Sequence, residues 1–110
     1  MTQSDSLTAA AVRTGTPLRI NDREVTIRDG TVQVSLHGKP CLTLDNPSRT
    51  IEIDGDTLPT RKSCRVVNAI LGTLSPCRVL TRNKKWYLET EEGKRLPFTN
   101  RLVTVPVNIA

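Results

Sequence analysis

Between about residues 18 and 54, apolar and polar positions alternate with a period of two, and each run closes on a turn signal. Val25 and Ile27 share one face before Asp29-Gly30; Val32, Val34 and Leu36 follow and end at His37-Gly38-Lys39-Pro40. Leu42 and Leu44 lead into Asn46-Pro47-Ser48, and Ile51 and Ile53 into Asp54-Gly55. The pattern predicts an antiparallel meander of short strands. Its solvated face would carry Thr26, Gln33, Ser35, Thr43 and Glu52, and its dry face the aliphatic positions.

The period then changes from two to 3.6. Thr60, just after Pro59, suits an N-cap, and Cys64, Val67, Ile70, Leu71 and Leu74 fall on one helical stripe before Gly72 and Ser75-Pro76 end it. One amphipathic helix over about residues 60–72, packed on the dry face of the sheet, satisfies both patterns. Cys77 to Thr81 and Trp86 to Thr90 read as a second hairpin around Arg82-Asn83-Lys84-Lys85, with Asn83 suited to a left-handed conformation. Glu91-Glu92-Gly93 reverses the chain. Val103, Val105, Val107 and Ile109 then alternate with Thr104, Pro106 and Asn108, and Pro106, which has no N–H to donate, places that strand at an edge or itself on the strand's unpaired side. The fold class is therefore α+β: an antiparallel β-meander, one amphipathic helix packed on the sheet, a β-hairpin and a C-terminal edge strand. Residues 1–16 are polar apart from Ala9-Ala10-Ala11-Val12 and read as a flexible tail before a single domain over 17–110.

Composition adds constraints rather than a function. Aromatic residues are 3% of the chain, only Trp86, Tyr87 and Phe98, so the core must rest on Val, Ile and Leu. No apolar run approaches the roughly 18 residues of a membrane span, and the N-terminal segment has no basic leader; both point to a soluble protein acting in the cytoplasm. Cys41, Cys64 and Cys77 are odd in number and match neither a disulfide framework nor paired zinc ligands, even with His37, the single histidine. Buried free thiols are expected, with no metal and no cofactor. Ser35, His37 and Asp45 supply the residue types of a triad but no nucleophile turn, so no enzymatic activity is predicted.

Charge changes the picture more. Residues 1–58 carry six Lys and Arg against eight Asp and Glu, and residues 59–110 ten against three, so the net +5 is regional. From Arg61 to Leu88 there are seven cations, Arg61, Lys62, Arg65, Arg78, Arg82, Lys84 and Lys85, and no acid. Three of them stand in the first two turns of the helix, where the macrodipole favours anions, which raises the prospect of a bound phosphate or carboxylate there. With Val79 and Thr81 inward, Arg78 and Arg82 face outward, and Tyr87 can share their side as a stacking surface for a base. The candidate site is thus Arg61, Lys62, Arg65, Asn68, Arg78, Arg82, Lys84, Lys85 and Tyr87. Its partner would be nucleic acid or an acidic or nucleoprotein host complex, with no membrane involved; a plain solvated surface is the competing reading. If Arg61, Arg65, Arg78 and Arg82 form one exposed face, reversing all four should leave the fold intact.

The order of these features resembles small accessory proteins encoded by tailed bacteriophages. The resemblance is carried by Leu36-His37-Gly38 at a strand end, the Thr60-led helix with Arg65, Asn68 and Leu71, and Trp86-Tyr87-Leu88, over roughly residues 24–90. It implies a phage or prophage protein acting in the bacterial cytoplasm, in a group that includes inhibitors of host defence such as anti-CRISPR proteins. It transfers no catalytic residue. The leading expectation is a non-catalytic module whose basic face engages nucleic acid or a nucleic-acid-handling complex. The alternative is an inhibitor that docks on a host defence complex by protein–protein contact.

Overall fold

A computed structural model describes residues 3–98 and 102–107. In chain order the elements are α1 (Gln3–Thr14), β1 (Leu18–Ile20), β2 (Arg23–Arg28), β3 (Thr31–Leu36), β4 (Lys39–Asp45), β5 (Thr50–Asp54), α2 (Arg61–Leu74), β6 (Arg78–Arg82), β7 (Lys85–Glu89), β8 (Arg95–Pro97) and β9 (Leu102–Pro106). They form two antiparallel sheets, one of six strands in the order β1-β2-β3-β4-β5-β9 and one of three in the order β6-β7-β8. The α+β class read from the sequence holds, with two helices in place of one.

Register explains why the meander forms. Val25 pairs with Val34, Val34 with Leu42, Leu42 with Ile53 and Ile53 with Val103, so one cross-sheet line of aliphatic side chains runs over five strands. A second line runs from Val32 through Leu44 and Ile51 to Val105, all buried. Ile27, at the free end of that line, stays exposed. Asp29-Gly30 and His37-Gly38 take positive φ at both positions, the requirement of a two-residue I′ turn. Opposite Val34 and Ser35 the register slips by one residue, and the extra residue, Cys41, is fully buried. Burial pushes its thiol up to about 12, so it stays protonated and packs as a small apolar group.

The helix begins where expected. Thr60 is the N-cap of a capping box: its Oγ1 accepts from the Ser63 N–H at 3.1 Å, and Ser63 Oγ accepts from the Thr60 N–H at 2.9 Å. The helix runs through exposed Gly72 to Leu74, and the Ser75 N–H closes it on the Leu71 carbonyl at 2.7 Å. Its buried stripe is wider than five residues and is rotated toward Ser63, Val66 and Ala69, leaving Cys64 half-buried at the margin. The stripe widens because α2 has covering on two sides, α1 on one and β6 on the other.

The expected flexible tail over residues 1–16 is corrected: Gln3–Thr14 is helical and packs along α2. Its buried face is Asp5, Thr8, Ala9, Ala11 and Val12, small or polar residues that let two helices approach closely. Thr8 Oγ1 donates to the Ser4 carbonyl at 2.7 Å, and Asp5 is bound by arginines from two other elements.

The three-stranded sheet hangs on α2 by a side chain. Asn68 Nδ2 donates to the Val79 carbonyl at 2.8 Å while its Oδ1 accepts from the Val79 N–H at 2.7 Å, so the amide supplies what a further strand beside β6 would supply. Val79 and Trp86 are buried on the inner face; Trp86 Nε1 donates to the Thr57 carbonyl at 2.8 Å, and its ring stacks on Phe98 with centroids 5.9 Å apart. At the far edge of the large sheet β9 pairs, among the described residues, with β5 alone, and Pro106 lies opposite Thr50, in agreement with the edge placement read from the proline. Asn108 and Ile109 lie outside the described residues.

Candidate functional site

The cations of the second hairpin are sorted by its register. Arg78 stands opposite Glu89, Leu80 opposite Tyr87 and Arg82 opposite Lys85, while on the other side Tyr87 meets Pro97 and Glu89 meets Arg95. Side chains alternate along a strand, so all eight share the face turned away from Val79 and Trp86. They make three rows, about 7 Å apart from one to the next at two residues of strand rise. The far row is Arg78, Glu89 and Arg95, in which Glu89 pairs with Arg95 at 3.1 Å and with Arg78 at 3.8 Å. The middle row is Leu80, Tyr87 and Pro97. The near row is Arg82 and Lys85, beyond which the chain turns through Asn83-Lys84.

Arg82, Lys84 and Lys85 are exposed and take part in no ion pair among the described residues. Asn83 has φ +53, as its side chain suggested, and Lys84 follows with φ +61. A lysine in the left-handed region costs about 1 kcal/mol or more that a glycine would not. Positive charge at this tip is therefore held against a local conformational preference.

The helix start is a different matter. Lys62 pairs with Asp22 in the β1–β2 turn, and Arg65 Nε donates to Asp5 Oδ2 at 2.8 Å. Asp5 is fully buried and also accepts from Arg23 Nη1, itself buried on β2, at 2.5 Å. Asp22 extends the web to His37, whose Nε2 stands 3.4 Å from its Oδ2, and to Arg23 Nε at 3.6 Å. The acids missing from the first turn of α2 thus arrive from α1 and from the β1–β2 turn, and the apparent conflict with the macrodipole is resolved by tertiary contacts. Of the four residues proposed there, Lys62, Arg65 and Asn68 hold the fold together, and Arg61 alone is exposed without an ion pair among the described residues. The expectation that four arginines could be reversed without harm to the fold is corrected on the same ground: a carboxylate at position 65 would meet buried Asp5.

Sequence reasoning missed Asp5, Arg23 and Asp22. Nothing in their local spacing marks them, because their partners lie 18 to 60 residues away or on a neighbouring turn. It also missed a cleft of about 630 Å³ between the β3–β4 turn and the β5–α2 loop, lined by Leu36, His37, Pro40, Thr57, Leu58 and Lys62 among others. Leu58, in a loop between Thr57 and Pro59, is 73% exposed there.

The triad residues do not assemble. Asp45 lies opposite Thr31, four residues and so about 13 Å along β3 from Ser35, and accepts from Ser48; His37 faces Asp22. All three cysteines are free. The Cys64 thiol donates to the Val79 carbonyl at 3.4 Å and is shifted upward, mainly by burial, against the lowering influence of the Arg78 charge and a backbone hydrogen bond at Thr81. No helix among the described residues is long and apolar enough to cross a membrane. No protein-family model, curated protein or solved structure matches the chain.

Proposed function

We propose that this chain is a non-catalytic binding module that engages nucleic acid, alone or within a nucleic-acid-handling complex, through the outward face of the β6-β7-β8 sheet. The observation that carries the reading is the arrangement of that face: an apolar row holding Tyr87, with cations on both sides and an uninterrupted cluster of Arg82, Lys84 and Lys85 at the hairpin tip. Such a face neutralises phosphates and offers bases a surface to lie on. A phage accessory protein in a bacterial cytoplasm belongs to the same proposal and has a use for such a module.

The test is the triple variant Arg82→Glu, Lys84→Glu and Lys85→Glu, titrated with fluorescent oligonucleotides. Affinity should fall at least a hundredfold while the melting temperature stays within a few degrees, since exposed charges contribute little to stability. Binding by the unaltered protein should weaken steeply with salt. Reversal of Asp45 and Glu52 on the large sheet should leave affinity nearly unchanged. Wild-type affinity in the triple variant would show the hairpin to be solvated surface only.

A second reading, an anti-CRISPR-like inhibitor that docks on a host defence complex, is favoured by one observation. Strand β9 has a neighbour on one side only, and such an edge can accept a strand from a partner protein. Association of that kind would be almost insensitive to salt and would survive the triple reversal.

A further inference from the structure

The shape of the basic face narrows the nucleic acid. We infer that its ligand is single-stranded, with one base stacked on Tyr87 and the flanking phosphates held by Arg82 and Lys85 on one side and by one of the two arginines beside Glu89, Arg78 or Arg95, on the other. This rests on the nucleic-acid reading above and adds to it a substrate class.

Three features lead there. The chain has three aromatic residues, and two of them, Trp86 and Phe98, are stacked on each other. Tyr87, on the opposite face of the same strand, is the one turned outward. It occupies the middle of the central strand between Leu80 and Pro97, so the half-buried ring lies in an apolar strip one base wide. Bases in a duplex are stacked on one another and present their edges, not their faces, to a protein; an unpaired base can lay its face on an aromatic ring.

The charges agree. A duplex bound along this face would lay a continuous line of phosphates over it, but Glu89 stands in the far row between Arg78 and Arg95 and interrupts the positive surface there. A flexible single strand can set its phosphates beside Arg82 and Lys85, pass its base over Tyr87 and meet an arginine beyond without crossing the carboxylate. The third strand matters as well. A two-stranded ribbon fits a major groove, and β8, with Arg95 and Pro97 on the same face, makes this platform wider than such a ribbon.

The experiment uses the full chain and labelled mixed-sequence 12-mers of DNA and of RNA, each as a single strand and as a duplex, followed by anisotropy in 50 mM salt. Single strands should bind at least tenfold more tightly than duplexes of the same sequence. Tyr87→Ala should weaken single-strand binding about ten- to a hundredfold without changing its salt dependence, and Tyr87→Phe should bind within about twofold of the unaltered protein, because the phenyl ring keeps the stacking face. Circular dichroism checks that both variants are folded, and Tyr87→Leu, which keeps apolar bulk, should lose affinity if Ala does. Comparison of the DNA and RNA strands shows which sugar is preferred. If duplexes bind as tightly, or if Tyr87→Ala binds normally while the triple hairpin reversal abolishes binding, the module is a phosphate binder and the single-strand inference is wrong. If no oligonucleotide binds at 50 mM salt, the nucleic-acid reading itself fails.

Discussion

In the six-stranded sheet, both turns with two positive-φ residues end in glycine, Gly30 and Gly38; in the three-stranded sheet the equivalent position is Lys84, at φ +61. The two sheets obey the same pairing rules but fill the second position of these two-residue turns differently, while Arg49 in the longer β4–β5 turn also takes positive φ, at +56. In its two-residue turns the large sheet uses the residue that the turn demands. Where it exposes a hairpin it keeps a cation that the turn disfavours. The faces differ in the same sense: the large sheet has α1 against β1 and β2 and contributes two lines of mostly buried aliphatic side chains, whereas the small sheet buries little beyond Val79 and Trp86 and turns Arg78, Arg82, Lys85 and Arg95 to solvent. Stability is concentrated in the first sheet and exposed chemistry in the second. Local rules tend to be broken at functional positions, and one such break, Lys84, falls on the hairpin.

The largest expected effect concerns the layer above the large sheet. Asp5→Ala removes the carboxylate that Arg23 and Arg65 share and leaves Arg23 buried with only the 3.6 Å contact to Asp22. Stability should fall by about 3–5 kcal/mol, the usual result when one partner of a buried ion pair is deleted. Arg65→Gln should cost far less, because the Arg65 side chain is 46% exposed and water can replace part of what is lost. Chemical denaturation measures both. A loss below 1 kcal/mol for Asp5→Ala would mean that α1 is only loosely held, and the contrast between a well-anchored sheet and an exposed one would weaken.

Asn68→Ala addresses the join between the sheets. It leaves the Val79 N–H without its side-chain acceptor and the Val79 carbonyl with only the Cys64 thiol as side-chain donor, and should cost about 1–3 kcal/mol. Hydrogen exchange sharpens the comparison further. Amides of Val79 and Leu88 in the small sheet should exchange faster in the variant, while those of Val34 and Ile51 keep their protection, since the small sheet can open without the large one. Equal acceleration in both sheets would show a single cooperative unit.

The legibility of the molecule divides along the range of its interactions. The meander could be read because its signals are local: Asp29-Gly30, His37-Gly38 and the alternating aliphatic positions announce turns and faces within a few residues. The Thr60 cap, the β6–β7 hairpin and the outward grouping of Arg78, Arg82 and Tyr87 were readable for the same reason. Helix α1 was not, because its buried face consists of Asp5, Thr8, Ala9, Ala11 and Val12, which carries hardly any apolar periodicity; it is held by α2 and by an arginine pair remote in sequence. A third of the candidate site, three of its nine residues, is tied into structural contacts on the same account. Lys62, Arg65 and Asn68 read in sequence as part of an exposed polar binding face, and only the positions of Asp22, Asp5 and Val79 in space reveal their structural contacts.

The smallest effect is the most discriminating, because it should move stability and affinity in opposite directions. Lys84→Gly relieves a left-handed lysine and should stabilise the protein by about 0.5–1 kcal/mol, the steric gain being reduced by the greater freedom of glycine in the unfolded chain. Loss of one phosphate-binding cation should meanwhile weaken single-strand binding several-fold and reduce the slope of log affinity against log salt by about 0.7. Lys84→Asn separates the two causes, since asparagine tolerates the same backbone and carries no charge: it should match the glycine variant in binding and gain less in stability. Thermal melts and salt titrations of the three proteins decide the matter. If Lys84→Gly is more stable and binds with unchanged affinity and salt slope, the lysine is not kept for binding, and the contrast with Gly30 and Gly38 has no functional meaning.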